Sequence, residues 1–479
     1  MKRLPHFVPV GNDHGHLLDL PVVEDPTATV VIPIHNRVRL LDNVLAGLAA
    51  QDTATTFDVV VVDDGSDEDV DAVVMGWRDT LEVRSVRQER AGRGAGRARN
   101  LGASIADGQV VFFLDADCVP SPNYLEEHLR YHRRVANAVV TASRRHIDRK
   151  IERGDVDDFD ALLRESGVED TGAIEPDDWR ATVLRRSRDL RLGSIAFRGV
   201  LSGLMSIRRE RFLEVGGFDE RFDRWGGEDT ELGWRLWNSG CIVVPTRKAA
   251  IVHQRSDDAD AAEVRASGRA ESSALMASLV PHRFYRKVDS PLHEVPHVTW
   301  VAVVGVDSDV QQRIKDVTSS TYSDAELVLV DHGVASGGPT DPVSGVGRVT
   351  VVGSLSDAVH AARGRYVAFL GEDVRPNRTL LERAMRRLED ERVDAVRVGY
   401  RSRSGRVLRL DDLLAVDETA PGGIPYFAVI ARRELMKDPQ ALPRGEWWPA
   451  ALDRVRTDLI VTDLVQLPGA AVLVPRRPR

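Results

Sequence analysis

Two acidic pairs and one histidine carry the chemistry that can be read from this chain. Val110 to Leu114 is an apolar run that ends in Asp115-Ala-Asp117, and Ala250-Ile-Val ends in His253. Between them, Arg224-Trp-Gly-Gly-Glu-Asp229 sets adjacent carboxylates, Glu228 and Asp229, after a Gly-Gly pair and at the start of an amphipathic stretch. Asp-x-Asp, Gly-Gly-Glu-Asp and His, in that order, supply what transfer from a cation-bound diphosphate to a hydroxyl requires. A divalent cation neutralises the diphosphate so that it can leave, and a carboxylate takes the proton of the attacking hydroxyl. A plainer reading of Glu228 and Asp229 is a charge cluster favoured by a helix N-terminus.

The elements that must position these groups follow from hydrophobic patterning. Thr29 to Pro33 and Phe57 to Val62 read as buried strands, the second ending in Asp63-Asp64-Gly65-Ser66. Arg39 to Gln51 has helical periodicity, a third strand lies near Leu81 to Val86, and Gly92 to Ala106 turns helical before the strand at Val110. Alternating strands and helices predict a mostly parallel sheet whose ligands sit beyond the carboxyl ends of the strands. Asn36, Asp64 and Asp117 all fall just past such ends. Residues 145–195 read as an acidic, solvated excursion or a lid, Gly199 to Arg208 as a strand, and Arg209 to Val215 as a short helix. A helix-like stretch from Asp260 to Leu279 precedes a proline-punctuated linker.

After the linker the pattern returns. Ala362 to Asp373 echoes Ala106 to Asp117 at an offset of 256 residues, and Glu326 to Gly333 echoes the strand that ends in Asp63-Asp64-Gly65. Tyr426 to Arg433 echoes Gly203 to Arg209, with Arg432 opposite Arg208. Duplication of one α/β domain explains this more simply than a solenoid, which needs more copies. The second copy lacks the chemistry: His332 stands opposite Asp64, and Gly371 opposite Asp115.

Bulk properties narrow the class. A chain of 479 residues implies two or three domains, and 42% hydrophobic with 29% charged residues is an ordinary soluble balance. A net charge of −9 gives no electrostatic reason to expect nucleic acid. The 2 cysteines, Cys118 and Cys241, form neither a disulfide framework nor a zinc motif. The preference for Arg over Lys points to a GC-rich bacterial genome. The N-terminus has no apolar signal core and no run is long enough to span a membrane, so a cytoplasmic enzyme is expected.

Five motifs in order, Val31-Ile-Pro-Ile-His-Asn36, Val62-Asp-Asp-Gly-Ser66, Ala98-Arg-Asn-Leu-Gly102, Leu114-Asp-Ala-Asp117 and Trp225-Gly-Gly-Glu-Asp229, resemble glycosyltransferase family 2 and its GT-A-fold relatives. The last is similar to the motif of β-1,4-galactosyltransferases, chondroitin-polymerase-type enzymes and polypeptide N-acetylgalactosaminyltransferases. The resemblance implies an N-terminal extension (1–26), a catalytic GT-A domain (27–255), a helical linker (256–295) and a degenerate GT-A-like domain (296–479) that binds acceptor or holds a dimer.

It also implies roles. Asp117 and His253 would bind the metal, with Asp115 as a further ligand or a ribose contact; hard oxygens suit Mg²⁺ or Mn²⁺, and the imidazole tilts the set toward Mn²⁺. Asp64 would recognise the base, with Pro33 and Asn36 shaping the same pocket. An Asx-bonded turn is the alternative for Asp63 and Asp64. Arg99, ahead of Arg93 and Arg97, would contact the diphosphate. Asp229 would be the base, Glu228 would bind donor or acceptor sugar, Trp225 would pack on a sugar face, and Gly227 would let the loop close. Asp-x-Asp favours inversion. The expected partners are a nucleotide-sugar donor, UDP-linked first, and a glycan, peptide or small-molecule acceptor. A retaining N-acetylgalactosaminyltransferase-like enzyme and a non-catalytic carbohydrate-binding protein are the alternatives.

Overall fold

The structure is a computed structural model that describes residues 4–254 except 8, 10, 91, 93, 148, 168–178, 193–194 and 225. Beyond these it describes 271–286, 293–304, 310–331, 339–340, 348–371, 376, 378–389, 395–401, 407–408, 427–436 and 457–463. Trp225, Arg93, His332 and the acidic run 175–178 lie outside the described residues. The chain divides into two compact units, Met1–Met276 and Ala277–Arg479.

The first unit is built on an eight-stranded mixed sheet. Strands β1 (Ala28–Ile34), β2 (Phe57–Asp63), β3 (Val83–Arg87) and β4 (Val110–Leu114) are parallel, in the order β3-β2-β1-β4. β1, β2 and β4 are buried almost throughout, as expected of parallel strands covered on both faces, whereas β3 at the edge (Val-Arg-Ser-Val-Arg) is largely half-buried. Beyond β4 the order continues with β7 (Leu204–Arg208), β6 (Ala138–His146), β8 (Ile242–His253) and β5 (Cys118–Pro120). β7 runs antiparallel to both of its neighbours, so the chain direction reverses beside Asp115. Helices α1 (Val38–Ala49) and α3 (Ala95–Ile105) fall where the periodicity predicts, and α2 (Val70–Trp77) and α4 (Tyr124–His132), which the sequence reading did not name, fill other connections.

Two local expectations are corrected. The predicted strand from Gly199 begins only at Leu204: Ala196–Gly199 is a turn of 3₁₀ helix, and Leu204 N–H closes a turn on the Leu201 carbonyl. The excursion after β6 is not merely a solvated surface. Ile147, Ile151, Val156, Phe159, Leu162 and Leu163 are buried in the same core as β1 and α1. Short helices at Arg153–Asp158 and α5 (Phe159–Glu165) present those side chains inward and leave the aspartates in water.

Behind the sheet, Ser206 Oγ on β7 lies 2.8 Å from both His128 Nδ1 and His132 Nε2 of α4, and both rings are fully buried. Burial pushes His128 down to about 3 and His132 well below its usual value. Each histidine therefore takes up a proton more readily when unfolded, and stability is lost as pH falls below about 6.5. Lowering the pH from 7 to 5 is expected to cost about 2 kcal/mol per histidine. Urea titrations at the two pH values check this. A midpoint that does not move would mean that the rings are charged in the fold.

The second unit repeats seven strands of the first; among the described residues it has no counterpart of β5, and two short strands, Pro339–Thr340 and Val407–Leu408, are added. Its strands β9 (Val298–Val304), β10 (Ala325–Asp331), β12 (Val349–Val352), β13 (Tyr366–Leu370), β14 (Ala395–Arg401), β16 (Phe427–Ala431) and β17 (Thr457–Asp463) follow the order β12-β10-β9-β13-β16-β14-β17. Parallel and antiparallel pairings match those of β3-β2-β1-β4-β7-β6-β8 throughout. Even a buried polar clasp recurs. Thr29 Oγ donates to Asp58 (2.5 Å) and accepts from Gly108 N–H (2.8 Å), as Thr299 Oγ donates to Glu326 (2.7 Å) and accepts from Gly364 N–H (3.0 Å). The strand pairing sets Ala431, rather than Arg432, opposite Tyr366, as Arg208 stands opposite Val110, one residue from the sequence match. Where Asp115 follows β4, Gly371 follows β13, and buried Arg313 donates to the carbonyls of Gly371 and Val303.

Candidate active site

The carboxyl ends of β1, β2 and β4 and the end of β8 bring the predicted residues to one edge of the first sheet. Pro33 and Asn36 follow from β1, Asp63 and Asp64 from β2, Asp115 and Asp117 from β4, and His253 closes β8. Glu228 and Asp229 open helix α8 (Glu228–Asn238).

The loops after β1 and β2 are fixed by a dense set of hydrogen bonds. Asn36 sits in left-handed backbone (φ 57°); its N–H donates to Ser66 Oγ (2.7 Å) and its Oδ1 accepts from Asp67 N–H (2.8 Å). Pro33, half-buried, stands opposite Val62 in the β1–β2 register. Asp63 accepts from Ser66 N–H (2.8 Å) and Arg87 (2.6 Å), the turn chemistry expected of such a strand end. Asp64 points the other way and accepts from Gln88 Nε2 (2.7 Å) and Gly94 N–H (3.1 Å). Arg97 lies 3.9 Å from Asp64 and donates to the Glu89 carbonyl.

The acidic centre is paired with two arginines. Arg99, buried, reaches Asp115 at 2.5 Å and lies over the Phe218 ring. The backbone permits this because residue 203 is glycine: a Cβ there would come within 2.0 Å of Asp115 Oδ2. Asp117 is buried, and its Oδ2 meets Arg37 Nη1 at 3.1 Å and His253 Nε2 at 3.6 Å. Cys118 Sγ lies 3.5 Å from Asp117 Oδ1, and burial pushes this thiol well above its usual range, so it faces the carboxylate as a neutral donor. Asp117, Cys118 and His253 form the cluster of metal-ligand type found among the described residues.

Sequence reasoning missed the residues that hold His253 in place. Gln254 is fully buried; its N–H donates to the Asp117 carbonyl (2.8 Å) and its amide bridges Asn43 Nδ2 (2.7 Å) and the Leu40 carbonyl (3.1 Å) on α1. β8 also pairs His253 with Cys118 on one side and His146 on the other, and the two imidazoles lie 5.0 Å apart. Nothing in the local sequence of Gln254, Asn43 or His146 announces these contacts. For Arg37 there was a signal, its place directly after Asn36 in a strand-end loop.

Glu228 and Asp229 differ in environment. Gly226 and Gly227 hold φ values of 88° and 103°, and Gly227 caps α8, so the chain turns sharply into the helix at a position that favours glycine. Asp229 accepts from Thr230 N–H at 2.6 Å. Glu228 retains some exposure as a residue, but its Oε2 is shielded and has no hydrogen-bond partner among the described residues, while Ser202 Oγ stands 3.5 Å from Oε1. Burial, reinforced by the charge of Asp229, pushes the Glu228 carboxyl up to about 7. Trp234 and Trp237 of the same helix pack on Phe197 in the core.

The chain is similar to known proteins. Residues 29–193 match the model described as glycosyl transferase family 2, and residues 189–254 the one described as N-terminal domain of galactosyltransferase. Chondroitin synthase of Escherichia coli is 28% identical over 64% of this chain and 46% of its own length, so the chain spans less than half of that relative. Validoxylamine A glucosyltransferase of Streptomyces hygroscopicus subsp. jinggangensis is 32% identical over 70% of this chain and 78% of its own. A solved mannosyltransferase from Pyrobaculum calidifontis, in complex with GDP-Man and Mn²⁺, is 19% identical over 57% of this chain and 67% of its own, with a TM-score of 0.37. The sheet is of the GT-A type, and the chain belongs to glycosyltransferase family 2.

Proposed function

We propose that the first unit is a metal-dependent, inverting glycosyltransferase that moves a sugar from a nucleotide-sugar donor, UDP-linked first, to an acceptor hydroxyl. The observation that carries this reading is the convergence of Asp117 Oδ2 and His253 Nε2, 3.6 Å apart. Two adjacent ligands of one octahedral cation, each about 2.1 Å from it, stand about 3 Å apart, so this pair fits Mn²⁺ or Mg²⁺ with a small adjustment. When bound, the cation would neutralise the diphosphate as it leaves. Asp115 is a further ligand or a ribose contact.

The chain's own residues do the rest. Asp64, with Pro33 and Asn36 beside it, holds the nucleoside. Arg99 pairs with Asp115 and orients it. Asp229 takes the proton of the acceptor hydroxyl as its oxygen attacks the anomeric carbon from the face opposite the diphosphate. Glu228, its carboxyl shielded, holds a sugar hydroxyl. Trp225 packs on a sugar face, and Gly227 lets its loop close on the donor. The second unit, with Arg313 set between strand ends where the first carries acids, serves acceptor binding or dimerisation. Among the described residues no helix is long and apolar enough to cross a membrane.

Thermal melting with UDP, GDP and dTDP, each with and without Mn²⁺, tests the donor class. One nucleotide is expected to stabilise the chain only when Mn²⁺ is present; equal shifts with and without the ion would remove the metal from the account. The product of the preferred donor should be the β-anomer by NMR if that donor is α-linked, and an α-product would favour the retaining alternative. Gln254→Leu is expected to weaken Mn²⁺ binding about ten- to a hundredfold by releasing His253, as titration calorimetry would show.

A further inference from the structure

We propose that Arg37 is the resident counter-ion of the metal site. In the donor-free protein its guanidinium neutralises Asp117; a divalent cation must displace it, and the freed guanidinium then turns to the incoming diphosphate. This rests on reading Asp117 and His253 as metal ligands.

The geometry sets up a competition for one oxygen. Asp117 Oδ2 faces both Arg37 Nη1, at 3.1 Å, and His253 Nε2, at 3.6 Å. A cation shared by that oxygen and that nitrogen would stand within a few ångströms of the guanidinium. Two positive groups cannot share so shielded a place without mutual cost, because the Asp117 side chain is only 11% exposed.

Removing Asp117 from water without any cation would also be costly, so some positive group has to be present before the metal arrives. Arg37 supplies it. Its backbone is pinned in the left-handed region (φ 69°), next to the equally left-handed Asn36, and its carbonyl accepts from Leu40 and Leu41 N–H at the start of α1. Its side chain is 38% exposed, so the guanidinium can swing while its root stays fixed. The planar fork then meets phosphate oxygens, for which it is well matched.

One consequence is that cation and donor load together. A cation alone loses the Arg37–Asp117 pair and gives the guanidinium nothing in return, whereas cation plus diphosphate replaces that pair with another. Each therefore strengthens the binding of the other.

The test is calorimetric titration of the full chain with Mn²⁺ alone, with UDP alone, and with Mn²⁺ in the presence of UDP. Arg37→Met is expected to bind Mn²⁺ alone about tenfold more tightly than the wild type, and to show a smaller gain when UDP is added. Arg37→Lys, which keeps the charge, should stay near the wild type for Mn²⁺ alone. If Arg37→Met does not fold, Arg37→Gln makes the same comparison. Unchanged or weaker Mn²⁺ binding by the uncharged variant would overturn the proposal. Asp117→Ala separates the two levels: Mn²⁺ binding that survives it would mean that the metal reading is wrong, rather than the role of Arg37 within it.

Discussion

Asp117→Ala is expected to lower donor turnover at saturating Mn²⁺ by at least about a thousandfold, the scale of losing a group that stabilises transition-state charge. The expectation follows from how much converges on one carboxylate. Asp117 is the only acid seen to meet His253 Nε2 among the described residues, and Arg37 shares the same oxygen. Its main-chain carbonyl is tied separately to Gln254, so the strand end should survive loss of the side chain. The melting temperature should therefore move by only a few degrees while activity collapses. Turnover within tenfold of the wild type would show that the cation is held elsewhere.

Asp229→Asn and Glu228→Gln should separate sharply, although the two residues are neighbours. Asparagine cannot accept a proton, so Asp229→Asn is expected to cut kcat by about a hundred- to ten-thousandfold with little change in KM. The Glu228 carboxyl, pushed up to about 7 by burial and by Asp229, is neutral below that pH and ionised above it. Glutamine mimics the neutral form, so Glu228→Gln should keep most of the activity at pH 6, whereas Glu228→Ala should not.

The stability consequence has a definite sign. A carboxyl whose folded value is raised contributes most below its unfolded value near 4.5, and that contribution is lost as pH rises through about 7. Glu228→Gln should therefore stabilise the protein at pH 8, by on the order of 2 kcal/mol. Denaturant midpoints at pH 6 and pH 8 measure it. A variant less stable than the wild type at pH 8 would show that Glu228 is well solvated or paired in its ionised form.

Much of the sheet was legible because its strands are short, apolar on both faces and closed by polar residues. Val30 to Ile34, Val59 to Val62 and Val110 to Leu114 announce themselves, and so do the acids that follow them. The duplication was legible for the same reason, since the pattern survives where the chemistry does not. The stretch after β6 was not. Ile147, Ile151, Phe159 and Leu163 recur at multiples of four, but only singly among aspartates and arginines, and 3₁₀ turns and a short helix share the burial among them.

Contacts across sequence distance were beyond reach for a different reason. Arg37 lies 80 residues from Asp117, and Gln254 lies 211 from Asn43. The place of Arg37 after Asn36 marks it as a residue of the strand-end loop but does not name its partner, and nothing local marks Gln254 or Asn43. Arg99 was expected at the diphosphate because guanidinium forks suit phosphate; in the fold it meets Asp115. The sheet brings Asp115 to it through the close approach at Gly203, which no motif contains.

Nucleotide release tests the central claim most directly. The full chain is incubated with Mn²⁺ and a panel of UDP-, GDP- and dTDP-sugars without acceptor, and free nucleotide is followed over time. The account predicts slow hydrolysis of one donor, abolished by EDTA, restored by added Mn²⁺ and absent in Asp117→Ala. Release that persists in EDTA, or the absence of both release and nucleotide-dependent stabilisation for every donor, would contradict it.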